Sequence, residues 1–249
     1  MTKGSPRSDT AYQVLRRAII EQALAPGTKL PEDDIGEHFG MSRTLVRATL
    51  ARLQAEGLVD AKPKRSATVA KPTLKEAKEV FTLRRALERE AVRLIVERWK
   101  PEFGAALEGN IREEEAAAAA ADPRVSIRLA GEFHILLAAL TDNTLLRRFL
   151  GELVSRCSLI LAMYGRPHSS ECGITEHRDI VAALRRRDVA AAMTLMDEHV
   201  GSVEKRALLA ENVGGNPDLG AVLAKYTEPL AARQATIDIR RAKSRTGRK

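Results

Sequence analysis

Between Pro72 and the glycine pair Gly214 and Gly215, apolar residues recur at helical spacing in six successive stretches, and no run in that region alternates as a strand would. The stretches fall at roughly 74–99, 102–121, 124–141, 143–164, 170–187 and 188–211. Between them stand Pro101, Asp122 with Pro123, Asp142 with Asn143, and Gly165 to Pro167, residues that stop a helix or cap the next one. An amphipathic helix must bury its stripe against a neighbour, so six in succession imply an all-helical bundle. The run Ala116 to Ala121, preceded by Glu113 to Glu115, reads as the end of a helix because alanine is the best helix former.

Residues 9–72 follow a different grammar. A first helix signal carries Tyr12, Leu15, Ile19 and Ile20, with Asp9 and Thr10 as candidate caps, and ends at APGTKLP. A short helix from Glu32 to about Phe39 follows, with Ile35 and Phe39 inward, and Gly40 breaks it. Ser42 is placed to cap a third helix whose buried stripe is Leu45, Leu50 and Leu53, and Gly57 stops that helix. Leu58–Ala61 and Ala67–Ala70 are then predicted as two strands of a small hairpin tipped by KPKRS. This order of elements is that of a winged helix-turn-helix.

Charge separates the same regions. The net +8 resides at the two ends, since residues 1–72 and 213–249 carry the basic surplus while 73–212 are balanced, which suits ends that meet a polyanion. The last segment, 214–249, holds one possible helix near 219–235 and closes on DIRRAKSRTGRK, too polar to bury a core; residues 1–8 are likewise expected to be flexible. Cys157 and Cys172 lack CxxC spacing and are expected to be reduced thiols. No apolar run approaches the roughly 20 residues a bilayer requires, and MTKGSPRSDT has no secretory apolar core; the expectation is a cytoplasmic protein without membrane contact.

The order YQVLRRAII, LAPGTKLPEDDIGEHFGMSRTLVRATLARLQAEGLVDA and KRSATVA resembles the DNA-binding domain of GntR-family bacterial transcription regulators over residues 10–72. It departs from the family pattern at Leu45, where proline is usual, at Ala48, where glutamate is common, and at Ser66, where the wing usually has glycine. The resemblance implies a recognition helix whose first residues enter the major groove. Arg43, Thr44 and Arg47 fall there, arginine being suited to guanine because its planar fork meets O6 and N7 together, with Ser42 before them as both cap and candidate phosphate contact. Arg52 is a candidate phosphate contact or a surface charge rather than a base reader, and Lys62, Lys64 and Arg65 on the wing tip suit the backbone or minor groove. The plainer alternative for Arg43 and Arg47 is a solvated helix face; His38 reads as an ordinary surface residue.

VFTLRRALEREAVRL, GEFHILLAALTDNTLL, ITEHRDIVAALRRRDVAAA and MDEHV resemble, in that order, the all-helical effector-binding and dimerisation domain called FCD in the FadR subgroup of the same family, over most of 73–213. In many such domains an aspartate and three histidines hold a divalent metal. The histidines correspond to His134, His177 and His199, whereas the acidic position, one turn before His134, is Ala130. Glu132 does not replace it, because two residues turn a helix by about 200°. Three imidazoles with an exchangeable position suit zinc or a similar first-row ion; the alternative is three unrelated, separately hydrogen-bonded histidines. Arg84 matches a pocket-facing arginine suited to a carboxylate, or it is an exposed residue paired with Glu88.

The resemblance therefore implies a homodimeric regulator that binds a palindromic operator in double-stranded DNA and senses a small organic acid, and not an enzyme. Two rivals are a sequence-blind DNA-binding protein, suggested by the basic tail, and a three-histidine metal hydrolase, for which no nucleophile motif is present.

Overall fold

The computed structural model describes residues 6–61, 66–165, 171–207, 218–224 and 226–227, with side chains at 171 and 172 left aside. Its elements are α1 (Pro6–Ile20), β1 (Lys29–Leu30), α2 (Glu32–Phe39), α3 (Arg43–Ala55), β2 (Val59–Asp60), β3 (Ala67–Val69), α4 (Leu74–Glu97), α5 (Pro101–Ala119), α6 (Pro123–Leu140), α7 (Thr144–Tyr164), α8 (Glu171–Arg185) and α9 (Val189–Ala207).

In the N-terminal unit, α1, α2 and α3 enclose Leu15, Ile19, Leu24, Leu30, Ile35, Leu53 and Leu58, all fully buried. The turn between α2 and α3 depends on Gly40, whose φ of 59° lets its N–H reach back to the carbonyls of Gly36 and Glu37. Ser42 then caps α3, its hydroxyl accepting from the Leu45 N–H at 3.5 Å. At the far end Gly57, with φ 72°, turns the chain into β2.

Three features differ from the sequence expectation. Helix α1 begins at Pro6, so Asp9 and Thr10 lie inside it rather than capping it; proline supplies a helix start with φ already set. Phe39 and Leu45 are only partly buried against the core. The wing has a third strand: β1 pairs antiparallel with β3 (Lys29 opposite Thr68), giving the order β1-β3-β2, with β2 in register through Val59 opposite Val69. Two residues are too few to show period-two alternation, so β1 has no signature of its own. The wing tip with Lys62, Lys64 and Arg65 lies outside the described residues.

The helices α4–α9 pack around Phe81, Ile95, Leu107, Phe133, Leu137 and Met196. Thr73, Asp122 and Asn143 cap α4, α6 and α7 through the N–H three residues on, while Pro101 and Pro123 open α5 and α6. Helix α5 ends at Ala119, α6 at Leu140 and α9 is described to Ala207. The N-terminal unit rests on α6 and α7: Leu159 of α7 is fully buried in its core, and Arg128 of α6 reaches Glu21 just beyond α1 at 2.8 Å. Beyond the bundle, residues 219–224 and 226–227 are helical, within the predicted 219–235.

Candidate functional site

Two sites emerge, one at the start of α3 and one inside the bundle. Arg43, Thr44, Arg47 and Arg52 are all exposed on α3. Arg43 pairs with Asp33 at 2.8 Å and Arg47 with Glu32 at 2.8 Å, both acids lying in the first turn of α2. Hydrogen bonding to Glu32 raises the Arg47 pKa above its ordinary value. Such solvent-exposed pairs are weak and open readily to a better anion. Arg52 turns away from this group; it pairs with Asp9 at 2.7 Å and stacks over the Tyr12 ring.

The second site draws its residues from all six helices of the bundle. His134 on α6, His177 on α8 and His199 on α9 are buried together, with candidate ligand atoms all within 4.8 Å of one another. Each ring turns its Nδ1 to a glutamate. His177 Nδ1 lies 3.0 Å from Glu114 of α5, and His199 Nδ1 lies 2.6 Å from Glu176 of α8. His134 Nδ1 makes a bent contact of 2.6 Å with Glu88 of α4. Phe133 stacks on His177 at 4.0 Å between ring centres, fixing that imidazole from the other side.

This arrangement constrains the protons. A carboxylate at Nδ1 selects the tautomer that carries its hydrogen there and leaves Nε2 as a bare lone pair. Burial favours the neutral ring and holds His134 at about 4 and His199 at about 3, against the ordinary 6.5. His134 Nε2 and His199 Nε2 then face each other at 3.2 Å, and His177 Nε2 is buried without a partner. Two opposed lone pairs repel unless a cation or proton lies between them. The edge of a tetrahedron of nitrogens about a zinc-like ion is about 3.3 Å, close to the observed separation. The donor set therefore fits a divalent metal, with His134, His177 and His199 as the residues that would hold it.

Beside the imidazoles lies a cavity of about 110 Å³, bounded by Arg84, Ser126, Ala130, Cys157, Ser158 and Arg206 among others. Ala130 borders it where the family's acid would stand, while Glu132 points outward and pairs with Arg128 at 2.8 Å. Arg84 is paired with Glu88 at 2.6 Å, as its spacing suggests, yet it is not exposed: both side chains are fully buried. Its Nη1 contacts the buried Cys157 thiol at 3.1 Å, and its Nη2 is buried with no partner. Burial pushes the Glu88 pKa up, but Arg84 and then His134 outweigh it and bring the carboxyl to about 2. Ser126 Oγ is a further buried, unpartnered polar atom bordering the cavity, and Arg206 enters from α9.

Glu88, Glu114, Glu176, Ser126 and Arg206 were not singled out as site residues from the sequence. Glu114 sits inside the Glu113–Glu115 run, which looks like a helix preceding alanines, and Glu176 adjoins His177 but serves His199. No linear spacing announces either partnership.

A winged helix-turn-helix in front of an all-helical bundle is the architecture of a two-domain DNA-binding regulator. Comparison with known proteins agrees. The family model for bacterial regulatory proteins of the gntR family matches residues 7–69, and the FCD domain model matches residues 79–202. The chain is 27% identical over 214 residues to the HTH-type transcriptional repressor RspR of Escherichia coli, covering 83% of this chain and 92% of that one. It is also 27% identical over 196 residues to the HTH-type transcriptional regulator YdhC of Bacillus subtilis, covering 77% and 87%. Its fold is that of the solved structure of E. coli McbR/YncC, with a TM-score of 0.70, 23% identity, and 80% and 95% of the two chains covered. The chain belongs to the GntR family of transcription regulators, in the subgroup with an FCD effector-binding domain. Among the described residues no helix is long and apolar enough to cross a membrane.

Proposed function

We propose that the protein is a homodimeric, site-specific cytoplasmic transcription regulator. Its FCD domain holds a divalent first-row cation on His134, His177 and His199 and senses a small organic acid in the adjoining cavity. The observation that carries the metal is the set of three imidazoles, each with Nδ1 on a glutamate and with two Nε2 atoms opposed at 3.2 Å. Ala130 supplies no oxygen, which leaves a position for water or for the acid itself. The acid is favoured by Arg84, whose buried Nη2 has no partner, with Ser126 and Arg206 at the same cavity. The bound cation supplies positive charge to that carboxylate.

Arg43, Thr44 and Arg47 form the base-reading group, with Ser42 as cap and phosphate neighbour, and Arg52, Lys64 and Arg65 as backbone contacts. Arg52 is the least direct of these, since it is already engaged by Asp9 and Tyr12. The second copy is favoured by Leu145 and Phe149, large apolar side chains exposed one turn apart on α7, and by the two half-sites that two heads require. Binding the acid shifts the heads only if the two conformations bind it with different affinity.

Selection of bound duplexes from a random library tests the DNA reading: a two-fold site is expected, and recovery of unrelated duplexes would show sequence-blind binding instead. Elemental analysis of untagged protein against His177→Ala tests the metal. A first-row ion in the wild type and its loss in the variant are expected, and no ion in either overturns the site.

A further inference from the structure

The segment after the FCD domain returns to the DNA-binding unit. Leu219, Leu223 and Tyr226, spaced four and three residues apart and so on one helix face, are buried in the same core as Leu15, Ile19 and Leu24. Leu223 is fully buried and Tyr226 4% exposed. The FCD model ends at residue 202, so this segment lies beyond what the family resemblance covers.

Polar contacts fasten it. Glu21, itself 3% exposed, accepts from Arg17 Nε and from Arg128 Nε, each at 2.8 Å, and burial together with the same carboxylate raises the pKa of the Tyr226 hydroxyl above its ordinary value. Arg17 also lies over the Tyr226 ring, 5.4 Å from its centre, and His38 Nε2 is 3.2 Å from Thr227 Oγ1. The buried Glu21 carboxylate thus joins the DNA-binding unit to α6, and Arg17, its other partner, lies against the C-terminal segment. Helix α6 is the one whose Ser126, Ala130 and His134 border the cavity.

We infer that residues 219–224 and 226–227, together with the Glu21–Arg128 pair, form an internal clasp that fixes the orientation of the DNA-reading unit relative to the cavity helices. A head fixed on its bundle presents one separation between the two recognition helices of a dimer. Release of the clasp lets the head swing and widens the range of half-site spacings the dimer accepts. This second consequence rests on the reading of the chain as a dimeric, site-specific DNA binder.

The test uses full-length wild type, Leu223→Asp and the milder Tyr226→Phe, which keeps the ring and removes only the hydroxyl. Hydrogen exchange followed by mass spectrometry is expected to rise about tenfold or more in α1 and in residues 219–227 for Leu223→Asp, and less for Tyr226→Phe, while α4 and α5 stay protected. Binding to operators with the spacing altered by one or two base pairs is expected to be penalised in the wild type and at least tenfold less so in Leu223→Asp. Unchanged α1 exchange in both variants overturns the clasp, as does an unchanged spacing preference. If the wild type selects no site, the DNA reading fails by itself, and the exchange measurement still decides the clasp. If Leu223→Asp unfolds the whole unit, Tyr226→Phe carries the decision.

Discussion

Glu114→Gln isolates the electrostatic support of the proposed metal site, because it preserves shape and removes only the charge that His177 Nδ1 meets. The pair is fully enclosed, with the two side chains 1% and 2% exposed at 3.0 Å, so water cannot take the place of the lost carboxylate. Glutamine presents either an oxygen that still accepts or an amide that forces the ring to turn. Loss of such outer support weakens metal binding by about 10- to 100-fold. With zinc at a hundred times the wild-type dissociation constant, linkage stabilises the native state by about 2.7 kcal/mol; the same concentration then stabilises the variant by about 0.4–1.4 kcal/mol. At about 3 °C per kcal/mol for a chain of this size, the zinc-induced rise in melting temperature falls from about 8 °C to about 1–4 °C. Glu176→Gln provides the internal control. Glu176 is 28% exposed, so water replaces part of its role and the loss should lie near the tenfold end. Differential scanning fluorimetry with zinc titration measures both. A Glu114→Gln rise equal to that of the wild type, or a larger loss in Glu176→Gln, would refute the reasoning.

At the proposed DNA-reading face, Arg47→Ala should reduce the preference for the selected operator over random duplex by about ten- to hundredfold, read as a specificity ratio at physiological salt; an unchanged ratio removes Arg47 from the base-reading group. Glu32→Gln frees Arg47 from its competing partner at 2.8 Å and should tighten operator binding modestly, by no more than about fivefold given how weak exposed pairs are, measured by fluorescence anisotropy. Metal-stripped protein should lose stability as the pH falls from about 6.5 towards 4. In that window the unfolded histidines take up protons that the buried His134 and His199, held at about 4 and about 3, refuse. Urea midpoints at pH 7, 6 and 5 read the slope, and a flat series would mean that these rings charge in the folded state.

The legible parts of the fold were those written in local chemistry. Ser42, Asp122, Asn143 and Gly40 mark helix boundaries through hydrogen bonds to residues two to four positions away, and the apolar stripes of α4 to α9 repeat at a period that only a helix satisfies. The illegible parts depend on distant partners. Strand β1 exists because β3, nearly forty residues later, offers it a ladder, and α1 reaches back to Pro6 because Ser8 is buried against Thr49. The three histidines could be aligned through the resemblance; that each has its own glutamate could not.

What the amino-acid order alone determined is therefore a winged helix-turn-helix ahead of a helical bundle, the exposed arginines at the start of α3, and the three histidines that the bundle carries. Tertiary structure decided the rest. It buried Arg84 instead of leaving it at the surface, aligned Glu88, Glu114 and Glu176 from three helices behind the imidazoles, and folded Leu219, Leu223 and Tyr226 into the core of the DNA-binding unit. Local hydrogen bonds and periodicity act over a few residues and leave a trace in the sequence. Burial and charge pairing act through space, where residues 107 positions apart, such as Glu21 and Arg128, become nearest neighbours.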